Sequence, residues 1–226
     1  MIHELKCDEE AKKMGSAKVK ICGIKTPNMA QYAVGQGADF IGVIFFPKSP
    51  RHVSYVQAAA INKAISGNAK LVAVMVNPSN DEISDMLAEF TPDYIQLHGS
   101  EPIERVVELR GNLSIPLIKA ISVSTKEDIK KAHIYKEHVD YILFDAKPPK
   151  GSDLPGGNAI SFDWSLLKDL NLDTKYFLSG GLNISNINDA IKQTKVKYID
   201  ISSGAESSIG EKSKKLINLL IQKVNK

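Results

Sequence analysis

The sequence predicts a single-domain α/β protein with the (β/α)8 architecture of a TIM barrel. Short apolar runs rich in β-branched residues alternate with helical patterns from Lys18 to the C-terminus. Such alternation is typical of a parallel sheet. The unit repeats eight times within about 200 residues, which favours a closed barrel over an open doubly wound sheet with fewer strands.

The predicted strands are apolar runs in which β-branched and aromatic residues are frequent and after which a polar or glycine-containing turn follows. The first run ends at Cys22, directly before Gly23, so a thiol terminates a strand at the end where barrels carry their chemistry. In chain order the strands are predicted at residues 19–23, 40–46, 71–77, 94–98, 117–123, 141–145, 176–180 and 198–202.

A helical pattern follows each strand and often opens with Ser, Thr, Asp, Asn or Pro, which are preferred at helix N-termini. The connection 146–161, after the sixth strand, is the longest one without clear periodicity, which indicates a functional or disordered loop. The helices are predicted at residues 29–36, 56–65, 82–90, 103–110, 126–135, 164–167, 186–192 and 212–223.

Residues 1–17 add no ninth unit, so we expect an N-terminal extension, flexible or a short helix, ahead of a barrel domain at 18–226. The first residues mix acids and bases and lack the apolar centre of a secretory signal. No apolar stretch approaches the roughly 20 residues that span a bilayer, so we expect no membrane association. The only cysteines, Cys7 and Cys22, form no Cys-x-x-Cys pair, which disfavours a disulfide framework and structural zinc and favours a cytoplasmic location.

The net charge of +3 is small, and the lysines are scattered, which disfavours nucleic acid as a partner. The lysine-rich segment 212–226 is predicted to be a solvated helix face. The sequence leaves the oligomeric state open between monomer and homodimer. The predicted partner is a small phosphorylated molecule.

Strand parity brings a thiol and a carboxylate to one cavity. Because side chains alternate along a strand, Lys18, Lys20 and Cys22 share the inward face of the first strand, and Asp145 ends the inward face of the sixth. A carboxylic acid that donates a proton and a thiolate that removes one from carbon form an acid–base pair. The competing interpretation is a buried apolar Cys22 and a structural Asp145.

Parity also predicts a buried ion pair between Lys20 and Asp200, on the neighbouring first and eighth strands. That pair would place charge close to Cys22 and affect its thiolate fraction.

Glycines follow the last two strands, as Gly180-Gly181 and as Ser203-Gly204. Glycine allows a backbone to approach an anion closely, and free N–H groups at a helix start bind phosphate. In barrels these two loops are a frequent phosphate site, whereas one isolated glycine pair is more often a simple turn. We therefore predict a phosphorylated substrate.

Two further side chains are expected at the same face. Arg51 follows the second strand and is suited to a bidentate contact with a carboxylate, although an exposed surface charge is the competing interpretation. His98 ends the fourth strand with Gln96 on the same inward face, as a substrate contact or a supporting polar group. Because no other ligand type stands at a metal-binding spacing and no cofactor motif occurs, we predict no metal and no cofactor.

Six ordered motifs at strand ends make this chain resemble phosphoribosylanthranilate isomerase. They are 20–24 (KICGI), 46–51 (FPKSPR), 96–99 (QLHG), 144–147 (FDAK), 178–182 (LSGGL) and 200–204 (DISSG). The resemblance covers the chain from about Lys18 to its end. It implies a cofactor-independent TIM barrel of tryptophan biosynthesis that performs an Amadori rearrangement.

The resemblance also implies roles for residues. Asp145 would be the general acid that protonates the furanose oxygen, and Cys22 the general base at the sugar C2′. Arg51 would hold the anthranilate carboxylate, and Gly180, Gly181, Ser203 and Gly204 would hold the sugar phosphate.

The chain departs from the family at two loops: Ala159 stands where a second glycine is frequent, and Ile209 and Ser213 replace the usual proline and aspartate. Two alternatives remain. One is the related sugar isomerase of histidine biosynthesis, which uses a pair of aspartates, and the other is a barrel that binds a phosphorylated metabolite without catalysis. Cys22 speaks against the first alternative, and the intact Cys22, Asp145 and Arg51 speak against the second.

Overall fold

The computed structural model describes residues 17–149, 151–152, 155–157, 159–168, 170 and 172–225. Within them, eight parallel strands close into a barrel in chain order, which confirms the predicted fold class. Of the predicted N-terminal extension 1–17, residues 1–16 lie outside the described residues. The strands are β1 (Lys18–Cys22), β2 (Phe40–Phe45), β3 (Lys70–Met75), β4 (Tyr94–Leu97), β5 (Leu117–Val123), β6 (Tyr141–Ala146), β7 (Lys175–Leu178) and β8 (Tyr198–Ile201).

Helices connect the strands and cover the outside of the barrel. Three of them begin with a capping box, in which Ser54, Ser79 or Thr125 caps the first turn and a side chain three residues later returns the hydrogen bond. The α-helices are α1 (Pro27–Gln36), α2 (Tyr55–Ile65), α3 (Asn80–Glu89), α4 (Ile103–Asn112), α5 (Lys126–Lys130), α6 (Ala132–Tyr135), α7 (Ile187–Thr194) and α8 (Lys214–Val224).

Parity divides the buried residues into two cores, as the strand pattern predicts. Val19 and Ile21 of β1 belong to the larger core between strands and helices. Cys22 belongs to a separate cluster inside the barrel, together with Phe40, Val72 and six other side chains. The inward orientation expected for Cys22 is therefore confirmed.

Aromatic rings fill the N-terminal end of this lumen. The Phe40 ring lies 5.2 Å from that of Phe177 and 5.9 to 6.5 Å from those of Tyr94, Tyr141 and Tyr198, mostly edge to face. Burial and the neighbouring hydroxyl of Tyr198 raise the pKa of Tyr141. The barrel is thus packed at one end, and its cavity lies at the other.

Three elements differ from the sequence prediction. The helix predicted at 126–135 is broken at Lys131 into α5 and α6, and Trp164–Leu167 is a 3-10 turn. After β8, a 3-10 turn at Ser203–Ala205 leads into an antiparallel hairpin of β9 (Glu206–Ser208) and β10 (Glu211–Lys212). The last helix therefore begins at Lys214, with Ser213 as its N-cap, rather than at residue 212. Among the described residues, no helix is long and apolar enough to cross a membrane.

Candidate active site

A cavity opens at the C-terminal end of the barrel. Its lining includes the side chains predicted for chemistry, and the glycine loops after β7 and β8 form part of its wall. The lining residues that were predicted as site residues are Cys22, Arg51, His98, Asp145, Gly180, Gly181 and Ser203. Gly204 follows Ser203 directly in the 3-10 turn.

Cys22 is a buried thiol at the bottom of this cavity, with 5% of its surface exposed. Burial raises the pKa of the Cys22 thiol, and the ammonium groups of Lys20 and Lys212 oppose that rise without cancelling it. The raised pKa therefore favours the thiol form of Cys22 over the thiolate at neutral pH. Cys22 as the general base remains a prediction.

Lys20 and Asp200 form the buried ion pair that parity predicts. Lys20 Nζ lies 3.0 Å from Asp200 Oδ1, and both side chains are at most 4% exposed. Burial alone would lower the pKa of Lys20, but the Asp200 carboxylate outweighs it, so the pKa lies above its ordinary value. Ser179 Oγ donates to the second oxygen of Asp200 at 3.3 Å. The pair has no net charge: within it, Lys20 lowers and Asp200 raises the pKa of Cys22.

Asp145 lies at the end of β6, with both carboxylate oxygens in defined contacts. The backbone N–H of Ala146 donates to Oδ1 at 2.9 Å. His98 Nε2 lies 3.3 Å from Oδ2. The structure therefore brings His98 against the candidate acid. His98 also lines the cavity, so a direct substrate contact remains a prediction.

Arg51 is not the exposed surface charge that was the competing interpretation, because it is only 3% exposed. Its guanidinium forms a two-pronged ion pair with Glu206: Nε donates to Oε1 at 2.7 Å, and Nη2 donates to Oε2 at 2.9 Å. Nη2 also reaches the carbonyl oxygen of Gly157 at 3.4 Å. The group faces the cavity in a fixed plane.

The two glycine loops lie against each other. Gly180 and Gly181 both have left-handed backbone conformations, with φ values of 90° and 59°, which glycine adopts without strain. A side chain at Gly204 would overlap the carbonyl oxygen of Leu182, so the 3-10 turn can approach the first loop only with glycine there. Together the loops form one backbone-lined wall, the geometry expected for an anion site.

Comparison with known proteins assigns this chain to a family. A model of the family described as N-(5'phosphoribosyl)anthranilate (PRA) isomerase matches residues 19–223. The chain belongs to this isomerase family. It is 48% identical over 200 residues to the N-(5'-phosphoribosyl)anthranilate isomerase of Rhizobium leguminosarum bv. trifolii, covering 88% of this chain and 90% of that protein.

Solved isomerase structures share the barrel. The phosphoribosyl anthranilate isomerase of Thermotoga maritima is 34% identical, with a TM-score of 0.81 over 92% of this chain and 98% of that one. A phosphoribosyl anthranilate isomerase in complex with reduced 1-(o-carboxyphenylamino)-1-deoxyribulose 5-phosphate has a TM-score of 0.77 at 33% identity, with the same coverage of both chains. The chain is thus an isomerase of the tryptophan pathway by family.

Two residues of this isomerase site, Glu206 and Lys212, were missed by the sequence analysis. The expectation that segment 212–226 is a solvated helix face is wrong for Lys212, whose side chain is 2% exposed and lies in β10. Lys212 Nζ donates to Glu206 Oε1 at 2.6 Å and to the carbonyl oxygen of Ser202 at 2.9 Å. Gly210, between Ile209 and Glu211, was an available turn signal.

Glu206 is a buried carboxylate that pairs with both Arg51 and Lys212. Burial by itself raises its pKa, but the hydrogen bonds and charges of Arg51 and Lys212 outweigh burial and hold the pKa of Glu206 at about 2. Burial lowers the pKa of Lys212, and the Glu206 carboxylate opposes that change. One buried carboxylate therefore joins the loop after β2 to the hairpin after β8.

Another buried ion pair supports the ends of β4 and β5. Lys119 Nζ lies 2.8 Å from Glu101 Oε2 and donates to the carbonyl oxygen of Gly99 at 2.9 Å. Glu101 in turn accepts from the backbone N–H groups of Asn77 and Gly99. The parity of β5 turns Lys119 away from the lumen, so the pair holds the segment after His98 instead of touching the cavity.

No group of three or more His, Cys, Asp or Glu side chains suited to a metal ion occurs in the part of the chain that the structure describes.

Proposed function

We propose that the cavity converts N-(5'-phosphoribosyl)anthranilate to 1-(2-carboxyphenylamino)-1-deoxyribulose 5-phosphate, with Asp145 as the acid and Cys22 as the base. The observation that carries this proposal is that a buried thiol from β1 and a carboxylate from β6 line one cavity whose wall also carries an arginine and two glycine loops. The family supplies the substrate, and a solved phosphoribosyl anthranilate isomerase binds a reduced form of such a product.

The chemistry needs one acid and one base. Asp145 gives its proton to the furanose oxygen, the bond from that oxygen to C1′ breaks, and the anthranilate nitrogen forms a C=N bond to C1′. Cys22 removes the proton from C2′, and the electron pair of that C–H bond forms an enolamine. Protonation at C1′ and loss of the C2′ hydroxyl proton give the ketone. Substrate and product are isomers, so no net proton or electron is consumed.

Arg51 is assigned to the anthranilate carboxylate. The bonds to Glu206 use Nε and Nη2 of the guanidinium, so Nη1 is the donor assigned to the substrate. Arginine suits this contact because its planar group matches a carboxylate. Holding the aromatic acid at the mouth orients the sugar toward Cys22 and Asp145.

The phosphate is assigned to the glycine wall. Backbone N–H groups of Gly180, Gly181, Ser203 and Gly204 would surround it, and the left-handed conformations of the first two glycines suit a loop whose backbone approaches an anion closely. His98 is assigned to the reacting end, beside Asp145. The proposed anion site, after β7 and β8, therefore lies between the strand ends that carry Asp145 and Cys22.

We further propose that residues 18–226 form one catalytic domain preceded by an extension at 1–17, because the family match begins at residue 19. The proposed location is the cytoplasm, where the thiol of Cys22 stays reduced. The proposed partner is the small phosphorylated substrate, with no nucleic acid and no membrane. The oligomeric state is proposed as monomer or homodimer, since the dimeric Thermotoga maritima relative has also been obtained as monomers.

The test is an activity assay with freshly generated phosphoribosylanthranilate, followed by loss of anthranilate fluorescence. We expect Cys22→Ala and Asp145→Asn each to lower kcat by about 100-fold or more, the usual worth of a positioned acid or base. Cys7→Ala is the matched control and should retain activity. An inactive wild type would favour the histidine-pathway isomerase or the binding barrel, and fully active Cys22→Ala and Asp145→Asn variants would contradict the assigned roles.

A further inference from the structure

A short chain of polar contacts leads from the interior of the barrel to the candidate acid. Gln96 is fully buried in β4, and its Nε2 lies 2.6 Å from His98 Nδ1. His98 Nε2 lies 3.3 Å from Asp145 Oδ2. Both ring nitrogens of His98 are therefore engaged, one by an amide and one by the carboxylate.

The Gln96 amide makes this contact through its nitrogen and leaves its oxygen unpaired within the described residues. Gln96 Oε1 is buried and has no hydrogen-bond partner within the described residues. A buried polar atom is normally paired, so an amide that leaves its oxygen unpaired while its nitrogen meets His98 calls for an explanation. The explanation lies in what an amide N–H requires of the imidazole.

An amide N–H donates, so Nδ1 of His98 must accept and carries no proton in this arrangement. The single ring proton is then on Nε2, from which it can only be donated toward Asp145. We infer that Gln96 is a positioning residue that holds His98 as the neutral Nε2–H tautomer, so that His98 orients Asp145 by one hydrogen bond without placing a full positive charge beside it.

The absence of that charge matters for acid catalysis. An imidazolium next to Asp145 would favour the ionised carboxylate, and an ionised carboxylate has no proton to give to the furanose oxygen. A neutral imidazole fixes the carboxyl group in place and leaves it able to carry its proton. This inference rests on the proposed role of Asp145 as the acid.

The backbone of Gly156 lies over the contact between His98 and Asp145, on the side of the cavity mouth. A side chain at that position would come within 2.5 Å of Asp145 Oδ2 and 2.6 Å of His98 Nε2. The contact between imidazole and carboxylate is therefore enclosed between β4, β6 and this loop. Among the residues that the structure describes, the other titratable groups that line the cavity are Cys22, Arg51 and Asp200.

The first test reads the tautomer directly in the free enzyme. Protein labelled with 15N-histidine is examined by two-bond 15N–1H correlation at neutral pH, with the His98 signals assigned from a His98→Asn variant. We expect a neutral ring protonated on Nε2 in the wild type and loss of that fixed tautomer in Gln96→Met. A ring protonated on Nδ1, or the same tautomer in Gln96→Met, would overturn the inference.

The second test uses the pH profile of kcat/KM. A carboxylate in place of the amide would accept a proton from Nδ1, so Gln96→Glu should hold His98 as imidazolium. Because Asp145 would then lose its proton more readily, we expect the plateau of kcat/KM to fall about tenfold and the acid limb to move to lower pH, while the alkaline limb stays with Cys22, whose pKa burial raises. An unchanged plateau and acid limb in Gln96→Glu would overturn the inference, since a merely structural Gln96 would affect folding or KM instead.

The two tests separate this inference from the proposed function. If either Gln96 variant fails to fold, the wild-type tautomer still decides the inference, because it is measured without a substitution at position 96. Failure of the proposed function would appear as an inactive wild type in the fluorescence assay. Failure of the inference would appear as the wrong tautomer in an active enzyme.

Discussion

Arg51 and Glu206 lie 155 positions apart in the sequence and meet in a buried, two-pronged ion pair, with both side chains 4% exposed. The pair fixes the plane of the guanidinium at the mouth of the cavity. Buried pairs of this kind contribute little net stability relative to apolar packing, but removal of one partner is costly. Its value to the enzyme is therefore the position of Arg51.

Glu206→Gln should weaken substrate binding. The amide keeps the shape of the carboxylate but no longer pairs the guanidinium at both oxygens, so Arg51 is less well oriented for the substrate carboxylate. We expect KM to rise about tenfold, or about 1.4 kcal/mol, with a small change in kcat. Steady-state kinetics measure this, with Glu211→Gln on the exposed side of the hairpin as the control. Equal KM values for the two variants would contradict the assignment.

Glu206 should also make stability depend on acid. Its pKa of about 2 lies below the ordinary value of 4.5, so its contribution is fully present above about pH 4.5 and is lost as pH falls toward 2. Relative to a protonated Glu206, the ionised carboxylate stabilises the fold by on the order of 3 kcal/mol, of which about 2 kcal/mol is lost at about pH 3.

Urea unfolding at neutral pH and at about pH 3 tests this contribution. The wild type should lose more free energy of unfolding than Glu206→Gln does, because glutamine does not titrate. An equal loss in the two proteins would show that the carboxylate is not held by Arg51 and Lys212 in solution.

Lys20→Met should destabilise the barrel strongly. The substitution leaves the Asp200 carboxylate buried without its cation, which costs about 3–5 kcal/mol. Lys18→Met is a matched control on the same strand, where the side chain is 57% exposed and the expected change is within about 0.5 kcal/mol. Equilibrium unfolding in denaturant compares them, and similar free energies for the two variants would rule out a critical buried pair.

Cys22 should react slowly with iodoacetamide at neutral pH, because burial raises its pKa above the ordinary 9.0 and the thiolate is the reactive form. In a Cys7→Ser background, we expect the alkylation rate to be still rising at about pH 9. Mass spectrometry follows the reaction, with the same thiol in urea-unfolded protein as the reference. A rate that levels off below about pH 8 would mean that the lysines outweigh burial.

Gly204→Ala should damage phosphate binding. The added methyl group overlaps the Leu182 carbonyl oxygen, so the two glycine loops must separate. We expect the inhibition constant of inorganic phosphate to rise about tenfold or more, which corresponds to about 1.4 kcal/mol. Gly111→Ala in α4 is the control, since nothing lies within 4 Å of its added carbon. A phosphate constant unchanged by Gly204→Ala would place the anion elsewhere.

The strands were predictable because burial on both faces leaves a short continuous apolar run, and the orientation of their side chains followed because successive side chains point to opposite faces of any strand. The parity that puts Lys20 and Cys22 inside the barrel needs no knowledge of the neighbouring strands. The pairing of Lys20 with Asp200 followed because β1 and β8 are adjacent in any closed barrel of eight strands. These inferences depend on local pattern and topology alone.

The partner of Arg51 was not predictable in the same way. Glu206 lies in a two-stranded hairpin whose strands have three and two residues, too short for an alternation pattern. A lysine-rich segment next to it resembles a solvated helix, so Lys212 was assigned to the wrong element. Contacts between loops depend on where each loop turns, and the sequence near Arg51 contains no trace of a carboxylate so far along the chain.

The aromatic side chains around Phe40 close the N-terminal end of the barrel, so substrate and product both pass through the mouth at the C-terminal end. A product molecule has to retreat by the route along which the next substrate arrives, so the two exclude each other instead of passing in series. We therefore expect the product to inhibit competitively with the substrate. The packing of five rings at one end of the barrel thus makes substrate and product compete for the opening at the other end.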